Sequence, residues 1–385
     1  MIKKSIIGFF IAILMLSLTF LCLEVGVRLY IGDLQLQLPF ANQERILLPA
    51  KSKYRLMRDS TCLSKTNFIQ PRLFVQPQNL LSDVFKEAEN GLWGAKPNFI
   101  GRQRQTSTLT GEVMFDVTYQ IDGFGRRVAP ETLKPINKHS ILIGCSFVFG
   151  MGLPDDQTLA AFIQKKIPGS KSYNITLPGW SVADVIASQE KSRMWEGIEP
   201  REGIVLFNYS YAMHMRRFLG TIVSIGEYGS HRAYLEYDQN KKKYIYRGAY
   251  SKQKRFYVLI ANLLNQSKFL RFIGFDWPRV TEESLENYAR AILQVKENYI
   301  NLYGNKNQFV VYFQPEKKWN NLIPYLEKYK IHYLDYTDFQ ITNYAQSTLY
   351  IPNDGHPTAE YNRLLAEQMA CDLKLVENKK NLDGL

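Results

Sequence analysis

The chain has 385 residues, 45% hydrophobic and 22% charged, with 48 Lys and Arg against 36 Asp and Glu for a formal net charge of +12. These are ordinary globular proportions, and they exclude a wholly disordered chain, a collagen-like chain and a multi-span membrane protein. The four cysteines, Cys22, Cys62, Cys145 and Cys371, are too few for a disulfide scaffold and none stand at CxxC spacing, so no zinc ribbon or thioredoxin-like motif is available.

At the amino terminus, Ser5 to Leu23 are uncharged and mostly apolar, preceded by Lys3 and Lys4 and followed by Glu24 and Arg28. A helix of that length rises about 28 Å, enough to cross the hydrocarbon core. The run is longer than a usual signal-peptide core, and Cys22 to Arg28 offer a poor small-x-small cleavage site. Phe20-Leu21 before Cys22 disfavour a lipoprotein site. The expectation is an uncleaved signal anchor over residues 1–30, with a cleaved signal peptide as the alternative. Lys3 and Lys4 then stay in the cytoplasm, and everything after Tyr30 faces outward.

Residues 31–138 read as an extracytoplasmic linker and lead-in, irregular except for Val113–Ile121, whose alternation suits a strand. Asp122-Gly123 follows as a turn signal, with Gly125-Arg126-Arg127 extending the loop. From Ser140 the pattern changes. Strands are expected at 140–143, 172–175, 203–209, 308–313 and 332–334. Helices are expected at 159–166, 182–195, 282–299, 315–329 and 359–373. An aromatic and basic insertion spans about 215–281, the domain closes near 375, and 376–385 read as a polar tail. Alternating strands and helices imply a parallel sheet with helices on both faces, and ligands then sit beyond the carboxyl ends of the strands.

Four segments fall at such ends. Gly144-Cys145-Ser146-Phe147-Val148-Phe149-Gly150-Met151-Gly152 stops the first core strand. Its glycines allow a sharp turn, with Ser146 at the strand end; the bland reading is a structural strand-to-helix turn. Neither a Walker A loop nor a GxSxG elbow is present. Asp354-Gly355-His356-Pro357 precedes the last helix. There the Asp354 carboxylate can reach Nδ1 of His356 and leave Nε2 as a base; an Asp/Pro turn capping the helix is the bland reading. Gly179, in Leu177-Pro178-Gly179-Trp180, can offer an unobstructed N–H, or be an ordinary Pro-Gly turn. After the third strand, Asn208, Ser210 or His214 can supply a side-chain donor, while His214 beside Arg216 and Arg217 can equally be a surface histidine.

Taken in this order, Gly144-Cys145-Ser146-Phe147, Gly150, Gly152, then Asn174 and Gly179, then Asp354-Gly355-His356-Pro357 resemble the blocks of the SGNH (GDSL-like) hydrolases over about Ser140 to Leu373. The Tyr119–Arg127 segment, with its Asp122-x-x-Gly125-Arg126-Arg127 ending, resembles the lead-in of membrane-anchored bacterial members. The resemblance implies a flavodoxin-like three-layer α/β/α fold and a serine ester hydrolase or acyl transferase needing no cofactor. It implies Ser146 as nucleophile, His356 as base, Asp354 as its orienter, and the N–H groups of Ser146 and Gly179 as the oxyanion hole. Three departures stand out. Cys145 replaces the usual aspartate before the serine, which leaves Cys145 itself as a minor alternative nucleophile. The Gly-x-Asn-Asp block is missing, so Asn208 is an insecure third donor. The Asp-to-His separation is two residues, as in relatives that move acetyl groups onto extracytoplasmic polysaccharides.

The diffuse basic excess and the lack of zinc-finger or RNA-recognition patterns exclude nucleic acid as an expected partner. The expected partners are the membrane, an ester or acylated-glycan substrate, and envelope polysaccharide machinery. A non-catalytic glycan-binding or assembly protein on the same fold is the competing class, and a structural anchor protein a third.

Overall fold

The computed structural model describes residues 15, 18–25, 85–87, 92–107, 111–131, 135–314, 321–337 and 346–382. Most of the expected membrane span lies outside them. Among the described residues no helix is long and apolar enough to cross a membrane. Cys371 is disulfide-bonded, whereas Cys22 and Cys145 are free thiols. Cys62 lies outside the described residues.

Two antiparallel pairs precede the main sheet: β1 (Phe85–Glu87) with β2 (Trp93–Ala95), and β3 (Ile100–Thr106) with β4 (Val113–Gln120). Strand β4 is the one expected from alternation, and its inward positions Phe115 and Tyr119 are buried. The described end of the segment read as linker and lead-in is not a linker. Phe85, Tyr119 and Ile121 are part of the main core, and Arg127 forms a backbone bridge to Asn174. Bulky apolar side chains there gain more by burial than a solvated connection would allow.

From Lys138 the chain alternates. It runs β5 (Lys138–Ile143), α1 (Ser146–Phe149), α2 (Leu159–Lys166), β6 (Ser170–Asn174), α3 (Val182–Lys191) and β7 (Gly203–Tyr209). Helix α3 stops at Lys191, short of the expected Trp195. Beyond it the chain folds back, and Trp195 Nε1 donates to Ser188 Oγ at 3.0 Å. The insertion is fully built from α4 (Tyr211–Leu219), α5 (Ile222–Tyr228), the hairpin β8 (Ala233–Asp238) and β9 (Lys243–Ala249), then α6 (Tyr250–Gln253), α7 (Arg255–Asn265) and α8 (Lys268–Phe272). The chain then returns to the alternation with α9 (Glu282–Tyr303), β10 (Gln308–Phe313), α10 (Ile323–Lys328), β11 (His332–Asp335), α11 (Gln346–Leu349) and α12 (Ala359–Leu382). Helix α12 continues to Leu382, through most of what reads as a polar tail.

The five-stranded sheet has the order β11-β10-β7-β5-β6, with every pairing parallel. Numbered by appearance, that is the 2-1-3-4-5 order of flavodoxin-like folds, whose order reverses between β5 and β7. The two faces bury alternate residues. Ile141, Ile143, Val205, Phe207, Phe309 and Val311 face one core with α3 and α9. Leu142, Leu206, Val310, Tyr312 and Leu334 face another with α2 and α12. The architecture is therefore three-layer α/β/α, as expected, and the switch point, where such folds place their ligands, falls where Ser146 follows β5 and Ser210 follows β7.

Candidate active site

Ser146 opens α1, directly after the turn at Gly144-Cys145. As the first helical residue, it has an N–H with no acceptor inside the helix. The far end of this short helix is clamped from below. Asn174 Nδ2 donates to the Val148 carbonyl at 3.0 Å. The guanidinium of Arg127 donates to the carbonyls of Phe149 at 2.7 Å, Gly150 at 2.6 Å and Leu153, and pairs with Asp155 at 2.8 Å. Burial pushes the Arg127 guanidinium below its usual pKa and the Asp155 carboxyl above its own, so both groups feel the cost of leaving water.

The candidate base sits in the loop between α11 and α12. His356 Nδ1 lies 2.5 Å from Asp354 Oδ1, which also accepts the His356 backbone N–H at 3.1 Å. Burial pushes the Asp354 carboxyl up, but the His356 ring and these hydrogen bonds outweigh it and hold it below the ordinary carboxylate value. An ionised Asp354 requires the proton on Nδ1, so in neutral His356 the lone pair is on Nε2. The ring of His356 packs edge-on against Phe147, centroids 5.4 Å apart. Ile351 locks the loop in place beside Phe115 and Met151. It does so at Gly152, whose φ of 77° suits glycine and where a Cβ would strike Ile351 and Phe115. The structure thus brings the Asp354–His356 pair to the residue following Ser146.

Leu177 to Trp180 form a type II turn: Pro178 stands second, Gly179 third with φ 80°, and Trp180 N–H donates to the Leu177 carbonyl at 3.2 Å. Helix α3 starts at once, with a Ser181/Asp184 capping box. Two arginines of the insertion hold this turn. Arg232 Nη1 donates to the Pro178 carbonyl at 3.2 Å, and Arg217 Nη1 to that of Trp180 at 3.4 Å. A Cβ on Gly179 would fall inside the Arg232 guanidinium. Arg232 is itself placed by its neighbour, since Ala233 N–H donates to Asp184 Oδ1 at 3.2 Å.

Three other candidates sit deeper. Asn208 is in β7 with no exposed surface, its Cβ packed under Gly144 and its register partner Tyr312 on β10. It lies inside the sheet, beneath the turn that leads to Ser146. His214, in α4, is buried, and its Nδ1 accepts the Ser210 N–H at 3.2 Å. Burial, then the charge of Arg217, pushes its pKa down to about 3, so it is a neutral core histidine and not a surface one. Cys145 has no exposed surface, which leaves its thiol out of a substrate's reach.

No family model matches the chain, and no curated protein matches it. Among solved structures, it is similar to a family two carbohydrate esterase from Clostridium thermocellum, at 10% identity and TM-score 0.35 over 66% of this chain and 67% of the other. It is similar to the psychrotrophic esterase EstA from Pseudoalteromonas, at 11% identity and TM-score 0.35 over 63% and 100% of the two chains. It is also similar to an acetyl-xylooligosaccharide esterase from Geobacillus, at 9% identity and TM-score 0.34 over 63% and 96%. Likenesses this remote carry no argument about fold or chemistry.

Sequence reasoning missed Arg127, Asn174's clamp on α1, Arg217 and Arg232. An arginine whose acceptors are backbone carbonyls leaves no local spacing to read. The one signal available was Asp122-x-x-Gly125-Arg126-Arg127, noticed as a motif without its role.

Proposed function

We propose that this chain is a serine-dependent ester hydrolase or O-acyl transferase of the SGNH kind, anchored by its amino terminus and acting outside the cytoplasmic membrane on an acylated glycan or another small ester. The observation that carries the reading is the Asp354–His356 hydrogen bond delivered beside the Ser146 turn, at the switch point of the sheet.

His356 Nε2 takes the proton from Ser146 Oγ as Oγ bonds to the ester carbonyl carbon. Asp354 stays ionised, holds the tautomer and stabilises the imidazolium. The amides of Ser146 and Gly179 donate to the tetrahedral oxyanion, each such donor being worth about 100- to 1000-fold in rate. The carbon–alkoxide bond then breaks, and the imidazolium gives its proton to the leaving alcohol. Water or a sugar hydroxyl, deprotonated in turn by His356, takes the acyl group from Ser146 and restores the enzyme. The disulfide at Cys371 supports an extracytoplasmic location, because such bonds persist in oxidising compartments.

The test is acetyl release from acetylated oligosaccharides and a simple aryl acetate by wild type and Ser146→Ala. The variant should keep the fold and lose at least about 1000-fold in turnover. Partition of the acyl group between water and an added oligosaccharide tells hydrolase from transferase. Full turnover in Ser146→Ala would remove the serine mechanism. The deep burial of Asn208 favours a second reading, a glycan-binding protein with an incomplete oxyanion hole, which requires binding without turnover in wild type.

A further inference from the structure

Helix α7 is apolar on two opposite faces. Val258, Ala261 and Asn265 are buried, the first two against Ile222, Ile225 and Tyr250. The other face shows Phe256, Leu259, Ile260 and Leu263, the i, i+3, i+4, i+7 stripe of a buried helix face, yet Phe256 is 75% exposed and Leu259 and Leu263 are each 66% exposed. Downstream, Ile273 and Trp277 are exposed as well. Scattered exposed apolar residues need no explanation, but a complete stripe does.

Two independent observations name what covers it. Residues 251–277 carry five cations, Lys252, Lys254, Arg255, Lys268 and Arg271, against one acid, Asp276, which is mostly buried and pairs with Arg216 at 3.2 Å. All five are exposed. An apolar stripe collared by cations and an interfacial tryptophan matches an anionic lipid surface; a protein partner's interface core would instead be depleted in lysine. Second, the amino-terminal apolar helix is fastened at this corner. Glu24 accepts from Ser267 Oγ at 2.6 Å and from the Lys268 and Phe269 amides at 2.8 and 2.9 Å, and Phe20 meets Phe269 edge-on at 5.7 Å. The helix expected to enter the bilayer therefore leaves the domain beside α8, next to the stripe.

We propose that α7 and the 273–277 segment form an in-plane membrane-binding surface, embedding in the headgroup region of an anionic leaflet where the amino-terminal helix enters it. The insertion thereby sets how the candidate active site stands above the bilayer. The inference rests on the anchored reading of the amino terminus and not on the ester chemistry.

The test uses the full chain with Cys22→Ser and a single environment-sensitive label at Leu259→Cys, at Leu263→Cys or, as a control, at Lys306→Cys, an exposed site outside the insertion. The proteins are reconstituted in phosphatidylethanolamine vesicles mixed with phosphatidylglycerol. The labels at 259 and 263 should shift to the blue and be quenched by brominated acyl chains, and the label at 306 should not. Replacing Lys252, Lys254 and Arg255 by Glu should reduce that quenching. Labels at 259 and 263 as wet as the one at 306 in floated vesicles overturn the surface alone, as does cross-linking of Leu259→Cys protomers without quenching, which assigns the stripe to a second copy. A chain that does not float with vesicles overturns the surface and the anchor together, while acyl turnover tests the chemistry separately.

Discussion

The Pro178 carbonyl and the Gly179 amide belong to one planar trans peptide, so whatever holds the oxygen aims the N–H the opposite way. In a type II turn this central peptide is the one that flips, and only glycine accepts the resulting φ of 80° without strain. Arg232 pins the oxygen with a charged donor, which also polarises the amide; under the proposed mechanism this makes Gly179 a better donor to a developing oxyanion. Arg232 is thus a positioning residue. Arg232→Met should lower kcat and kcat/KM together by about 10- to 100-fold with KM little changed, and Arg232→Lys should recover part of the loss. A raised KM with unchanged kcat would make Arg232 a ground-state binding group instead. Gly179 was legible as a candidate because Pro-Gly punctuates a chain; Arg232 was not, because it returns to the turn from 53 positions further along the chain.

Helix α1 is a single turn, too short to hold itself in water. Its geometry is imposed by Arg127 and Asn174, which satisfy the carbonyls at its carboxyl end, and by Ile351 packing on Gly152. Arg127→Met leaves three carbonyls and the half-buried Asp155 without their cation. It should cost about 3–5 kcal/mol, read as a lowered urea midpoint at unchanged slope. A cost under about 0.5 kcal/mol would show that α1 is held by packing alone. The elements that sequence placed best, β7 and β10, are buried apolar runs closed by turn residues, and the sheet's two packed faces leave them no other place. Helix α3 was overrun because Met194 and Trp195 look helical by type, whereas their burial comes from the chain folding back. The insertion was opaque for a related reason. Its many aromatics pack on one another, Phe218–Tyr244 and Tyr237–Tyr244 against the main core and Tyr234–Tyr250 in a smaller cluster with α5 and α7, and no local period announces those contacts.

Across the whole molecule, three histidines are held neutral by burial. His214 and His231 are pushed down to about 3, and burial lowers His139 against the opposing pull of the Pro200 carbonyl at its Nδ1. In the unfolded chain each takes a proton near pH 6.5 and in the folded chain less readily, so stability is full above that pH and falls as pH drops below it, for His214 and His231 down to about 3. His214→Gln removes one such site. Between about pH 6.5 and about pH 4.5 the wild type should lose roughly 2–3 kcal/mol more stability than the variant, measured by urea unfolding. Equal losses would mean that His214 is charged in the fold. Asp354 adds to the same trend at lower pH: its lowered pKa contributes stability that is present above the ordinary carboxylate value and lost as pH falls through the folded one. At this scale the parallel order and the approach of the Asp354–His356 loop to the turn that carries Ser146 and Phe147 were readable from alternation and motif order. The supporting cations were not, since they act across the fold.

The measurement that bears most directly on the central claim is fluorophosphonate labelling of the folded protein beside Ser146→Ala and His356→Ala, with the modified peptide located by mass. An activated serine predicts one adduct, on Ser146, lost in the first variant and strongly slowed in the second. An adduct that survives Ser146→Ala, or a folded wild type that takes up no label, would contradict it.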